Sequence, residues 1–177
     1  MSAARVTLGI DAEIIELKCP LKMVGTIKDG IATGTVQNYT NLIEQVQDLE
    51  FDALAVATPI EIDKEVEKYY WENGGVNPWG GVEAVASKLI AEALNKPVAH
   101  APIYMGELRD DWDFVSDPRM SAEVISVAFL HCVLKGLHKA PRVGSGLSHE
   151  DVDFMISPIN CVGRPHRACI ELSLIHI

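Results

Sequence analysis

The chain has 177 residues and a mass of 19.4 kDa, enough for one domain whose core needs neither disulfides nor metals. Hydrophobic residues make up 48% and charged residues 23%, the mixture of a soluble globular protein, which excludes wholesale disorder. The 15 Lys+Arg against 25 Asp+Glu leave a net charge of −10 and a pI near 5.0. No stretch gathers the basic residues that a phosphate backbone demands, so a nucleic-acid partner is excluded.

The first residues, Met1 to Arg5, lack the charged start and long apolar run of a secretory signal, and the chain reads as leaderless. Its longest nearly unbroken apolar stretch, Val124 to Leu134, is interrupted by Ser126 and His131. That falls short of the roughly 20 residues that cross a bilayer, so no membrane span is expected. Cys19, Cys132, Cys161 and Cys169 show no Cys-x-x-Cys spacing, and no metal site is expected from them. Free thiols in a reducing compartment are the default, which means the cytoplasm, or the plastid stroma for a plant chain. At the other end, Leu172-Ser173-Leu174-Ile175-His176-Ile177 is what one frame of a common transposase-end sequencing adapter encodes. Residues 1–171 are therefore expected to form a single α/β domain and residues 172–177 a non-native tail that packs poorly; the alternative is an ordinary apolar final strand.

Along the chain, Val6-Thr7-Leu8-Gly9-Ile10 alternates, is rich in β-branched residues, and predicts a strand ending at Asp11. Lys18-Cys19-Pro20 breaks any helix, and Gly25, Asp29 and Gly30 punctuate a short hairpin. Leu42, Ile43, Val46 and Leu49 recur at helical spacing and predict a helix over 38–49. The apolar run 52–57 reads as a strand buried on both sides, and a polar helix follows over 63–71. Asn77-Pro78 supplies a cap and a first-turn proline for a helix over 78–94, whose apolar stripe includes Val82, Ala86 and Ile90. Residues 97–100 form a brief strand ending at Pro102, and 103–116 an acidic loop. Asp117-Pro118 opens a helix to about Leu134, stopped by Gly136. Apolar nearly all round, this helix is expected to be the most buried one. Residues 153–157 complete the strands.

Helices of about 12–18 residues between short apolar strands predict βαβ units. The expected fold is α/β, a mainly parallel sheet of 6–10, 52–57, 97–100 and 153–157 flanked by helices in Rossmann-like layers. Ligands of such sheets sit beyond the carboxyl ends of the strands. That rule selects Asp11, Thr58, His100, Asn160 and Cys161 as residues able to converge on one rim. His100 can act as acid, base or ligand near neutral pH, or be a half-buried histidine bonded to a carbonyl. Cys161 offers an exposed thiolate or an inertly packed thiol. His131-Cys132 falls inside the expected buried helix and reads as core, while His138, His149 and His166 show no ligand spacing. Gly80 and Gly81 stand inside a first helical turn, at a cost of about 1 kcal/mol each against alanine. They imply close approach of another backbone or of a ligand.

Several of these strings also carry a likeness. Asn-Pro-Trp-Gly-Gly-Val-Glu-Ala-Val (77–85), Ala-His-Ala-Pro (99–102), Asp-Pro-Arg-Met-Ser-Ala-Glu (117–123), Cys-Val-Leu-Lys-Gly-Leu (132–137) with Ala-Pro at 140–141, and Glu-Asp-Val-Asp (150–153) resemble the domain-of-unknown-function family 3326. That family occurs in bacteria, cyanobacteria and plant plastids. The resemblance covers residues 33–163. It implies an additional N-terminal half, so the chain is expected to be the C-terminal half, a fragment, of a longer protein. Residues 12–32 depart from the family pattern, as does 162–166. The resemblance brings no settled reaction and no cofactor.

The functional expectation is an enzyme acting on a small anionic metabolite at the carboxyl edge of the sheet. His100, Cys161 and Thr58 are the expected catalytic residues, and Gly80, Gly81, Asn160 and Asp11 the expected ligand contacts. The alternative is a non-catalytic ligand-binding or interaction domain. A small-molecule ligand is the expected partner, with no membrane and no nucleic acid, and a homo-oligomer is compatible with the sequence.

Overall fold

Asp29 and Gly30 turn the chain back on itself, both in the left-handed region with φ of 52° and 73°. Two such residues in a row match the right-handed twist of the flanking strands. The strands they join, β1 (Lys22–Lys28) and β2 (Ile31–Gln37), pair antiparallel from Lys28↔Ile31 to Lys22↔Gln37. A computed structural model supplies these coordinates and describes residues 2–103, 117–120, 129–140, 144, 146–147, 149–156 and 175–176. Two compact units follow from the contacts, Met1–Val143 and Gly144–Ile177.

In the first unit, α1 (Ser2–Leu8) occupies the stretch where a strand was expected. Residues 6–10 are not a strand. The Gly9 amide donates to the Arg5 carbonyl at 3.1 Å, and Gly9 takes φ 64°, so glycine ends the helix. Val6 is 86% exposed. Among the described residues no strand pairs with it, and its β preference loses to local helix bonding.

The hairpin is followed by α2 (Tyr39–Val46), which buries Leu42 and Val46, then by β3 (Leu54–Thr58) and the two-residue β4 (Ile60–Glu61). β4 adds parallel to β1 and completes a three-stranded mixed sheet in the order β2-β1-β4. Asp63 starts α3 (Lys64–Asn73) by accepting from the amides of Glu65 at 3.0 Å and Val66 at 3.3 Å. Asn77 does the same for the next helix, α4 (Gly80–Leu94), through the amides of Trp79 at 2.9 Å and Gly80 at 3.0 Å. Asn95 at φ 50° ends it. The chain then forms β5 (Val98–Pro102), parallel to β3 in the register Leu54↔Val98 to Thr58↔Pro102. The crossover through α3 and α4 is what a parallel pair requires. Strands and helices interleave in an α/β arrangement.

α4 is the helix at the centre of the first unit. It packs on β1, β2, β5 and α2, and Val82, Ala86, Ile90 and Ala91 are buried in a core shared with Met23, Val46, Val56 and Val98. Glycines let it sit low. Gly25 and Gly34 face each other across the hairpin, and a Cβ on Gly34 would lie 2.6 Å from the Val82 Cβ. A Cβ on Gly81 would lie within 2.5 Å of the Thr33 amide nitrogen and closer still to the Ala32 carbonyl.

Of the helix expected to be the most buried, the described parts hold no buried residue. Residues 118–120 make a single tight turn, in which Asp117 accepts from the Arg119 amide at 2.8 Å, and 121–128 lie outside the described residues. The remainder is α5 (Phe129–Gly136), which has no buried residue, and Cys132 is exposed and His131 half-buried rather than core. Apolar composition gives the area available for burial, but a facing element must cover it. Among the described residues, α4 receives that cover and α5 only part of it.

The expected single sheet is likewise divided. In the second unit, β6 (Phe154–Met155) pairs parallel with β7 (Ile175–His176), so 154–155 belongs to a sheet different from that of β3 and β5. Two residues of the expected loose tail thus carry backbone pairing.

Candidate functional site

Thr58 is the last residue of β3, and His100 is the middle residue of β5. Because Val56 is opposite His100 and Thr58 opposite Pro102, the side chains of Thr58 and His100 point to the same face one step apart on the diagonal. Thr58 Oγ1 lies 2.8 Å from His100 Nε2. On the other side of the ring, His100 Nδ1 lies 3.0 Å from Glu83 Oε1, which comes from the first turn of α4. The low seat of Gly81 on Ala32 sets the height of that turn and brings the carboxylate within reach. Behind Thr58, the Met23 sulfur of β1 accepts from Oγ1 at 3.5 Å. The network therefore joins β1, β3, β5 and α4.

A carboxylate can only accept, so Nδ1 of His100 carries a proton. In the neutral ring Nε2 is then bare and accepts the Thr58 hydroxyl proton. In the imidazolium Nε2–H donates to Oγ1, and the hydroxyl turns its own proton to the Met23 sulfur. Both ring nitrogens and the Thr58 hydroxyl, the buried atoms of the network, have partners in both states, the condition for tolerating them away from water. Thr58 is 7% exposed and His100 8%. The Glu83 side chain is 25% exposed, and no other hydrogen bond or ion pair holds it among the described residues.

Of the residues expected to meet on one rim, the structure joins Thr58 and His100. Asp11 lies in the loop after α1, exposed, with no hydrogen bond or ion pair to either among the described residues. Asn160 and Cys161 lie outside the described residues. Gly80 is exposed at the start of α4, where a Cβ would meet nothing closer than Asn77 Oδ1 at 3.8 Å. Gly81 takes the first of its two expected explanations, close approach of another backbone. The amides of Trp79 and Gly80 are already held by Asn77. Glu83 was not singled out in the sequence, since 17 residues separate it from His100. Its one signal was membership of the Asn77–Val85 string that carries the family likeness.

A second cluster gathers Tyr70, Trp71 and Trp79, with ring centroids 5.1, 5.2 and 5.7 Å apart. Rings this close touch one another and leave no space for a cation between them. Trp71 Nε1 donates to Glu67 at 3.2 Å, and Asn77 Nδ2 donates to the Tyr70 hydroxyl at 3.3 Å. The cluster staples α3 to the start of α4. At its edge the Asp117 amide donates to the Trp71 carbonyl at 2.9 Å. The Arg119 guanidinium, bonded to both Asp117 oxygens, and the Arg119 amide hold the Asp117 carboxyl at about 2, below its usual 3.8.

The described part is an α/β protein with a buried hydroxyl–imidazole–carboxylate network at the end of a parallel strand pair. It belongs to the family described as protein of unknown function (DUF3326), whose model matches residues 1–177. The match runs through residues 12–32, beyond the span over which the sequence motifs showed the likeness. An uncharacterized lipoprotein of the cyanobacterium Synechococcus sp. is 31% identical over 92% of this chain. The chain spans 48% of that relative's length. No solved structure gives a significant match. Among the described residues no helix is long and apolar enough to cross a membrane.

Proposed function

We propose that the chain is part of an enzyme acting on a small, anionic metabolite at the carboxyl end of β3 and β5, with His100 as acid/base and Thr58 as its partner. The observation that carries this reading is the 2.8 Å bond between Thr58 Oγ1 and His100 Nε2, backed by Glu83 on the opposite ring nitrogen. A hydroxyl, an imidazole and a carboxylate in sequence can move a proton without rearranging the backbone. The parallel β3–β5 pair with its helical crossover supports a Rossmann-like layering, and the coverage of the relative supports a fragment of a longer protein. Burial favours a second reading, a non-catalytic domain in which the network only holds four elements together. A thermal-shift screen against a library of small anionic metabolites separates the two. Under the enzyme reading a ligand raises the melting temperature of the wild type and not that of His100→Gln; a library without a single hit overturns it.

A cytoplasmic location is also a proposal, supported by the free thiols of Cys19 and Cys132. The lipoprotein name of the relative argues for a membrane-attached one. Fractionation of the native host decides.

A further inference from the structure

The network has a direction. In a hydroxyl–imidazole–carboxylate relay that uses the hydroxyl as nucleophile, the hydroxyl must face the substrate and the carboxylate stands behind the ring. Here the order of burial is reversed. Thr58 is 7% exposed and backed by the Met23 sulfur, the His100 side chain is 1% exposed, and the Glu83 side chain is 25% exposed. Glu83 Oε1 is taken by His100 Nδ1, which leaves the second carboxylate oxygen without a partner among the described residues.

We infer that Glu83, and not Thr58, is the group that meets the substrate, and that the chemistry is proton transfer at carbon rather than acyl transfer to a hydroxyl. The inference rests on the enzyme reading above and moves the acid/base role within that site from His100 to Glu83. The substrate class is a small carbonyl compound with a C–H next to the carbonyl, the kind of acid a positioned carboxylate can deprotonate. The free Glu83 oxygen takes the proton, the C–H bond breaks, and its electron pair moves into the adjacent carbonyl as an enolate. The proton returns to carbon from the same carboxyl group, so no co-reactant is needed. His100 is the positioning residue behind the base. Its Nδ1–H fixes one carboxylate oxygen, and the Thr58 hydroxyl holds the ring from the Nε2 side. The Met23 sulfur gives the hydroxyl a second acceptor, so the buried Oγ1–H keeps a partner whichever way it turns.

Two measurements on the 177-residue chain test this. Ring ¹⁵N spectra of His100 should show the neutral ring protonated on Nδ1, and a neutral ring protonated on Nε2 would overturn the arrangement. The chain is then incubated in D₂O with dihydroxyacetone phosphate, pyruvate and 2-oxoglutarate as probes, and loss of the C–H signal is followed by proton NMR. In parallel it is treated with p-nitrophenyl acetate and weighed intact. The expected result is protein-dependent exchange of at least one probe, lowered about 100-fold in Glu83→Gln and partly restored in Glu83→Asp, with no acetyl adduct on Thr58. Unaltered folding of Glu83→Gln is checked by its melting temperature. Exchange that survives Glu83→Gln refutes the role of Glu83. An acetyl adduct on Thr58 without exchange refutes it too, while leaving the enzyme reading standing with Thr58 as nucleophile. Neither exchange nor adduct overturns both readings.

Discussion

Adjacent glycines at the start of α4 should respond in opposite directions to alanine. Neither has a positive φ, so alanine is allowed by the backbone at both, and in an open helical position it gains up to about 1 kcal/mol over glycine. At Gly80 the added methyl meets nothing closer than 3.8 Å. Gly80→Ala should therefore raise the melting temperature by up to about 2–4 °C for a chain of this size. At Gly81 the methyl would fall on the Ala32 carbonyl and the Thr33 amide nitrogen. These are backbone atoms of β2, which cannot rotate away as a side-chain end can. Overpacking costs about 1–3 kcal/mol, and rigid neighbours place this site at the upper end. Subtracting the helical gain leaves a net loss of about 2 kcal/mol for Gly81→Ala, or about 4–8 °C. Urea and thermal unfolding of the two variants beside the wild type provide the assay. A stable Gly81→Ala, or two variants that shift in the same direction, would refute the packing account. The absent side chain at 81 would then call for a ligand instead.

Thr58→Val removes the partner of His100 Nε2 in a buried site and should cost about 1–3 kcal/mol in urea unfolding, while Thr58→Ser keeps the bond and should lose less. Ile90, fully buried on α4, should cost about 3 kcal/mol as Ile90→Ala, the usual range for emptying a core position; a loss below the Thr58→Val value would contradict its central placement. The Asp117 carboxyl titrates at about 2 in the fold against 3.8 ordinarily, so the folded state resists its protonation. That contribution is full above about pH 4 and fades as the pH falls towards 2. Asp117→Asn should thus lower stability at neutral pH and make no difference near pH 2, read from denaturation midpoints across the range; a pH-independent gap would refute the pairing with Arg119.

What the sequence determined by itself was local. The hairpin turn at Asp29-Gly30, the caps at Asp63 and Asn77, and the apolar stripe of α4 all declare themselves within a few residues, because turn geometry, capping and helical period are short-range properties. Thr58 was legible as a strand-end residue for the same reason, whereas the strand expected over 97–100 runs on to Pro102 and leaves His100 at its middle. Tertiary structure alone decided what those residues do. Residues 6–8 close a helix that Gly9 ends, and among the described residues no strand pairs with them. Among the described residues α5 is covered only in part, because covering depends on another element. Glu83 reached His100 across 17 residues only because Gly81 lets α4 settle onto the backbone of β2. A relay of hydrogen bonds is fixed to a few tenths of an ångström, and in this fold that precision comes from packing between distant segments, where no spacing in the chain records it.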